Sequence, residues 1–104
     1  KVLAQAAPSA TTNTDVYTVG AGKSAVISTM VICNRATANA AFRIAIRPGG
    51  ATLANQHYIA YDVTLAASDS TTLTLGLTLA ATDVVTVYCS TANQSVSIFG
   101  SEIV

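Results

Sequence analysis

Along most of this chain apolar and polar residues alternate one for one, and Gly-, Asn- or Asp-containing breaks interrupt the alternation roughly every ten residues. That period is the mark of half-buried β-strands, because successive side chains of a strand point to opposite faces. The clearest case is Thr71 to Leu79, "TTLTLGLTL", with Leu73, Leu75, Leu77 and Leu79 on one face and Thr72, Thr74, Gly76 and Thr78 on the other. The same test places strands at Lys1 to Ala6, Asp15 to Val19, Ser24 to Asn34, Ala40 to Arg47, His57 to Val63, Asp83 to Ser90 and Ser95 to Val104. In Ala40 to Arg47 it sends Phe42, Ile44 and Ile46 inward and Arg43, Ala45 and Arg47 outward. No segment shows helical spacing. The expectation is an all-β fold, a single antiparallel β-sandwich of about eight strands, and both a jelly-roll and an immunoglobulin-like topology fit that count. Residues 1–14 read as an N-terminal edge strand followed by a polar arm, and residues 15–104 as the sandwich domain.

Two further patterns stand out. Ser24 to Asn34, "SAVISTMVICN", is apolar on both faces, with Val26, Met30 and Ile32 in one phase and Ile27, Val31 and Cys33 in the other. Doubly apolar strands imply a second cover, such as a neighbouring subunit or a partner surface. A short echo, "TLAASD" at Thr64 to Asp69 and "TLAATD" at Thr78 to Asp83, flanks the leucine-threonine strand. Both copies read as turns closed by an aspartate, which puts Asp69 and Asp83 about 30 Å apart by strand rise, too far for a catalytic pair.

Composition narrows the function. Of the 104 residues only 10% are charged, Lys+Arg balance Asp+Glu, and 51% are hydrophobic. The absence of a basic field argues against nucleic acid as a partner, and no apolar run approaches the roughly 20 residues that cross a bilayer as a helix. So little charge and so much apolar surface point to self-association or docking on a partner. Cys33 and Cys89 fall within strands and read as small buried apolar residues ahead of a disulfide, and neither has His or Cys neighbours at metal-ligand spacing.

Candidate chemistry changes this picture little. "GKS" at Gly22 to Ser24 resembles the end of a phosphate-binding loop, but Tyr17 stands where the first glycine belongs and a β-branched strand follows in place of a helix. The stretch Gly20 to Gly22 is expected to be a tight turn between strands. His57, the only histidine, has no nucleophile elbow to serve, since G-x-S-x-G is absent. Tyr17, Tyr58, Tyr61 and Tyr88 fall in mixed strand phases, which argues against one aromatic platform for sugar. Arg43 and Arg47 share a strand face and are expected to pair with acids at an edge, or with an aspartate such as Asp62 across a subunit boundary. No catalytic, cofactor or metal site is expected.

The run "DVYTVGAGKSAVISTMVICNRATANAAFRIAIRPGGATLANQHYIAYDVTLAASDS", the later "LTLAATDVVTVY" and the ending "FGSEIV" resemble a group of small structural proteins of tailed bacteriophages. The shared features are a Tyr-Thr-Val turn entering a strand, a Cys-Asn-Arg strand end, a His-Tyr-Ile strand and a terminal Phe-Gly-x-Glu-Ile. At Gly20 the group commonly has proline. The resemblance implies a non-enzymatic virion protein on a β-sandwich, assembled in the host cytoplasm. Its expected role is capsid decoration, a cement protein that binds the major capsid protein as a homo-oligomer, with a trimer first. A tail, baseplate or fibre component and a host-surface carbohydrate-binding module are the alternatives. Lys1, Val2, Leu3, Lys23, Arg43, Arg47, Tyr58 and Asp62 are the candidate intersubunit or partner contacts, and an arm from Lys1 to Thr14 is expected to reach across subunit junctions.

Overall fold

Alternation of this kind can bury one face of each strand only by packing two sheets together, and the computed structural model does so with eight strands. It describes the backbone of residues 1–104 and every side chain except that of Leu75. The strands are β1 (Val2–Ala6), β2 (Thr14–Thr18), β3 (Ser24–Asn34), β4 (Ala40–Arg47), β5 (Tyr58–Leu65), β6 (Ser70–Leu79), β7 (Val84–Cys89) and β8 (Gln94–Ile103). Sheet A has the order β1-β8-β3-β6 and sheet B the order β2-β7-β4-β5, and all the pairings are antiparallel. Strand β1 pairs with β8, β2 with β7, β3 with β6 and β4 with β5: the first four strands and the last four form one long hairpin wrapped across both sheets. That nesting is the jelly roll, and it resolves the choice the sequence left open.

The core lies between the sheets. From sheet A come Ala25, Ile27, Met30, Ile32, Leu79, Val96 and Ile98, and from sheet B Tyr17, Phe42, Ile44, Leu65, Val85, Val87 and Cys89. Phe42 and Ile44 face inward, as their alternation predicts, and Arg43 and Arg47 outward. On β6, Thr72, Thr74, Gly76 and Thr78 are exposed while Leu73, Leu77 and Leu79 face inward; the Leu75 side chain, assigned to the same inner face, lies outside the described residues.

Strand β3 departs from strict alternation. Its buried residues are Ala25 and Ile27 before Ser28, then Met30, Ile32 and Asn34 after it. Against β8, Ile27 pairs with Gly100 and Thr29 with Phe99, so Ser28 is an inserted residue. A bulge reverses the phase of everything beyond it. Met30 and Ile32 therefore join Ile27 in the core, whereas Val26, Val31 and Cys33 form the outer set. The two-faced apolar strand of the sequence reading is a bulged strand with one full core face and one half-buried outer face.

The two echoes adopt the same turn. Asp69 N donates to Ala66 O (3.3 Å) and Asp83 N to Ala80 O (3.2 Å), and Ser68 and Thr82 both have positive φ, 53° and 67°. They cap opposite ends of β6, so Asp69 and Asp83 are apart as expected. Asp83 accepts from Ala80 N (2.9 Å) and Gly49 N (2.8 Å), which ties its turn to the β4–β5 connection. A β-branched residue in the left-handed region is strained. Thr82→Gly should raise stability by about 1 kcal/mol, read as a higher urea midpoint. In the Gly20 to Gly22 turn only Gly22 has positive φ, 74°.

The N-terminal segment belongs to the sandwich. Strand β1 is an edge of sheet A, Pro8 is buried, and Ala10 bridges Cys89, where Thr11 N donates to Cys89 O (2.8 Å). Residues 1–14 are thus folded against their own chain, and the arm expected to reach outward is anchored by sheet hydrogen bonds.

Candidate functional site

The two outer faces of the sandwich differ in chemistry. Arg43, Arg47, Asp15 and Asp62 all lie on strands of sheet B. On β4, Arg47 Nη2 donates to Asp15 Oδ1 (2.8 Å) and its Nε to Thr86 Oγ1 (3.0 Å), while Thr86 Oγ1 donates to Asp15 Oδ1 (2.9 Å). This network crosses β4, β7 and β2, and Thr86 beneath it is buried.

Four residues along β4, Arg43 is held by Asp62, with Nε to Oδ1 at 2.6 Å and Nη2 to Oδ2 at 3.3 Å. Its guanidinium carbon lies 4.2 Å from the Tyr61 ring centroid and 4.4 Å from that of Tyr88. Tyr58 meets Tyr61 edge-on, centroids 4.9 Å apart. The Asp62 hydrogen bond raises the guanidinium pKa above its ordinary value, so Arg43 is a fixed cation between two aromatic faces.

A local irregularity builds this cluster. Phe42 pairs with Val63 and Ile44 with Ala60, so β5 takes three steps where β4 takes two, and Asp62 sits in the break with φ 49°. In a regular strand Tyr61 and Asp62 would point to opposite faces; at the bulge both reach Arg43. Strict phase counting separated the tyrosines for this reason, whereas Tyr61 and Tyr88 flank one arginine and Tyr58 packs on Tyr61. Arg43 thus pairs with an acid of its own chain, as the first of its two expected readings has it, and the alternative of an Asp62 contact across a subunit boundary is not what this pair forms.

The remaining candidate contacts lie elsewhere. Lys1 is at the sheet A edge, where its amino group donates to Gly100 O (2.8 Å); Val2 is exposed opposite Phe99, and Leu3 packs against the core. Lys23 pairs loosely with Glu102 (3.8 Å) at one end of the sandwich. There the Tyr17 hydroxyl is buried without a hydrogen-bond partner among the described residues, and burial first, then the Glu102 carboxylate, holds the phenol above its ordinary pKa. His57 Nδ1 accepts from Ala54 N (3.1 Å), which ties that nitrogen to its turn.

The outer face of sheet A has the opposite character. Register places Thr72, Thr74 and Thr78 of β6 beside Val31, Thr29 and Val26 of β3, and these beside Ser97, Phe99 and Ser101 of β8, with Val2 and Gln5 of β1 beyond. The one charged residue on these four strands, Glu102, pairs with buried Ala25 and so belongs to the inner face. A four-stranded face with no charge is an unusual solvent surface. Sequence reading placed its threonines and valines but could not join them without the strand order.

Cys33 lies on this face, whereas Cys89 is in the core, and both are free thiols. Burial pushes the Cys89 thiol up to about 11. A thiol-specific reagent at pH 8 should modify Cys33 in the folded protein and reach Cys89 only on unfolding. Because the unfolded state loses this proton first, Cys89 makes stability fall as pH rises from 9.0 towards 11; Cys89→Ala should flatten that slope in urea titrations.

No protein-family model, curated protein or solved structure matches the chain. Its function must be argued from the fold and the two faces.

Proposed function

We propose that the chain is a non-enzymatic structural protein of a tailed-bacteriophage particle, a decoration protein that binds the capsid shell through the outer face of sheet A. The observation that carries the reading is that face: four strands wide, without charge, and lined by Thr, Ser, Val and Phe side chains that can be covered at little desolvation cost. The resemblance of the sequence to phage structural proteins supplies the kind of particle. The mechanism is mechanical, many weakly held copies sharing load across a shell by multivalent attachment.

The reading predicts that purified particles of the encoding phage contain the chain in many copies, and that protein stripped from them rebinds. Val31→Lys puts a charge in the middle of the face and should fold yet fail to rebind. Rebinding by this variant at wild-type levels would refute the assigned surface, and absence of the chain from particles would refute the role.

The tyrosine cluster favours a second reading, a carbohydrate-binding face on sheet B. Tyr61 is 56% exposed beside Arg43 and Asp62, which pairs an apolar ring with polar groups. Saturable glycan binding abolished by Tyr61→Ala would support it, and a blank glycan screen would remove it.

A further inference from the structure

Each sheet ends in two strands that have no partner on one side among the described residues: β1 and β6 in sheet A, β2 and β5 in sheet B. An open edge presents unpaired N–H and C=O groups that can template another strand, and proteins blunt such edges with charge, proline, bulges or short length. Three of the four are blunted by at least two of these. Strands β1 and β2 have five residues each, with register breaks at Leu3 and Val16, and β2 carries Asp15. Strand β5 breaks register twice and carries Asp62 at positive φ. Strand β6 has a single register break and none of the other devices. It is ten residues long, with no charge and no proline, and Thr72, Thr74, Gly76 and Thr78 are exposed at alternate positions. Its one irregularity is an extra residue between Thr74 and Leu77, where β6 takes three steps while β3 takes two from Ile27 to Thr29.

We propose that β6 is the seam of a twofold homodimer, in which the β6 strands of two copies pair antiparallel and join their A sheets into one eight-stranded sheet. A second copy is the occupant that this edge fits. A twofold axis sets the strand antiparallel to itself, so threonines meet threonines on the outer face and Leu73, Leu77 and Leu79 stay on the inner face. Cross-strand Thr–Thr pairs are favourable, and no like charges meet. One contact removes two open edges at once, and the uncharged outer face then continues across the seam. The inference concerns the protein in solution and does not depend on the particle reading.

Light scattering on the purified protein should give the mass of two chains. The double variant Thr72→Lys, Thr74→Lys and its counterpart Thr72→Glu, Thr74→Glu should each fold and run as monomers, and an equimolar mixture of the two should run as a dimer. Val31→Lys, on the same face but in an interior strand, should remain dimeric. In the wild-type protein, hydrogen exchange should protect consecutive amides of β6 rather than alternate ones, a readout that needs no variant. A mass of one chain or of three, a dimer indifferent to the lysine pair, or protection of alternate β6 amides only would each overturn the proposal.

Discussion

Gly100→Ala should destabilise the fold by at least about 3 kcal/mol, more than an overpacked core position usually costs. A Cβ at Gly100 would collide with the Val26 carbonyl oxygen and lie 3.0 Å from Ile27 Cα. These are backbone atoms of the neighbouring strand, and no rotamer change can clear them. The close approach sits where Ser28 bulges and β3 turns its later residues into the core, and there Gly100 also exchanges hydrogen bonds with Lys1 (2.8 and 2.9 Å). One methyl group therefore strains the β1–β8 and β8–β3 pairings together. Against a total stability of about 5–15 kcal/mol for a domain, the change should appear as a large fall in urea midpoint, with loss of β1 protection in hydrogen exchange. An unchanged midpoint would mean that the bulge can slide, and that glycine is there for another reason.

Asn34 should be nearly as sensitive, for the opposite reason. It is fully buried, and its Nδ2 donates to the carbonyls of Ala38 (2.9 Å), Leu65 (3.1 Å) and Ala66 (3.2 Å), while its Oδ1 accepts from Ala36 N (3.0 Å). One side chain thus joins the end of β3, the loop after it and the first echo turn. Asn34→Ala leaves those groups without partners, at about 1–3 kcal/mol for each that stays dry, and a loss of about 3 kcal/mol is expected. Asn34→Asp is a sharper test, since it keeps the shape and replaces the donor by an acceptor that faces three carbonyls. The carboxylate is disfavoured there, so its folded pKa lies above its unfolded one. The unfolded state then releases the proton first, and Asn34→Asp should lose stability as pH rises through the carboxylate range and regain it in acid. If its stability ran parallel to that of the wild type across that range, the hydrogen-bond assignment would be wrong.

Much of the architecture was legible in the sequence because it depends on period two. Strands β3 and β4 occupy the residues their alternation marks, and the echo turns cap β6 as their aspartates suggest. The features that period counting missed share one cause. Ser28 and Asp62 are single inserted residues, and each reverses the phase of the strand beyond it: the first returned Met30 and Ile32 to the core, the second brought Tyr61 and Asp62 to the same arginine. A polar residue in a strand is what outward-facing positions also look like, so neither bulge announces itself in one sequence. The jelly roll was hidden for another reason. Only β4 and β5 are consecutive strands paired with each other, and every other pairing joins segments whose partnership leaves no local trace.

That nesting also sets a schedule for synthesis. Strand β8 lies inside sheet A, between β1 and β3, yet it is the last of the eight strands to emerge from the ribosome. Until it arrives, β1 has no neighbour and β3 can pair only with β6. The nascent chain can close β4 on β5 early and zip outward, but sheet A must wait. Sheet A therefore closes only once β8 has been made, and β1 and β3 expose unpaired apolar positions throughout the interval.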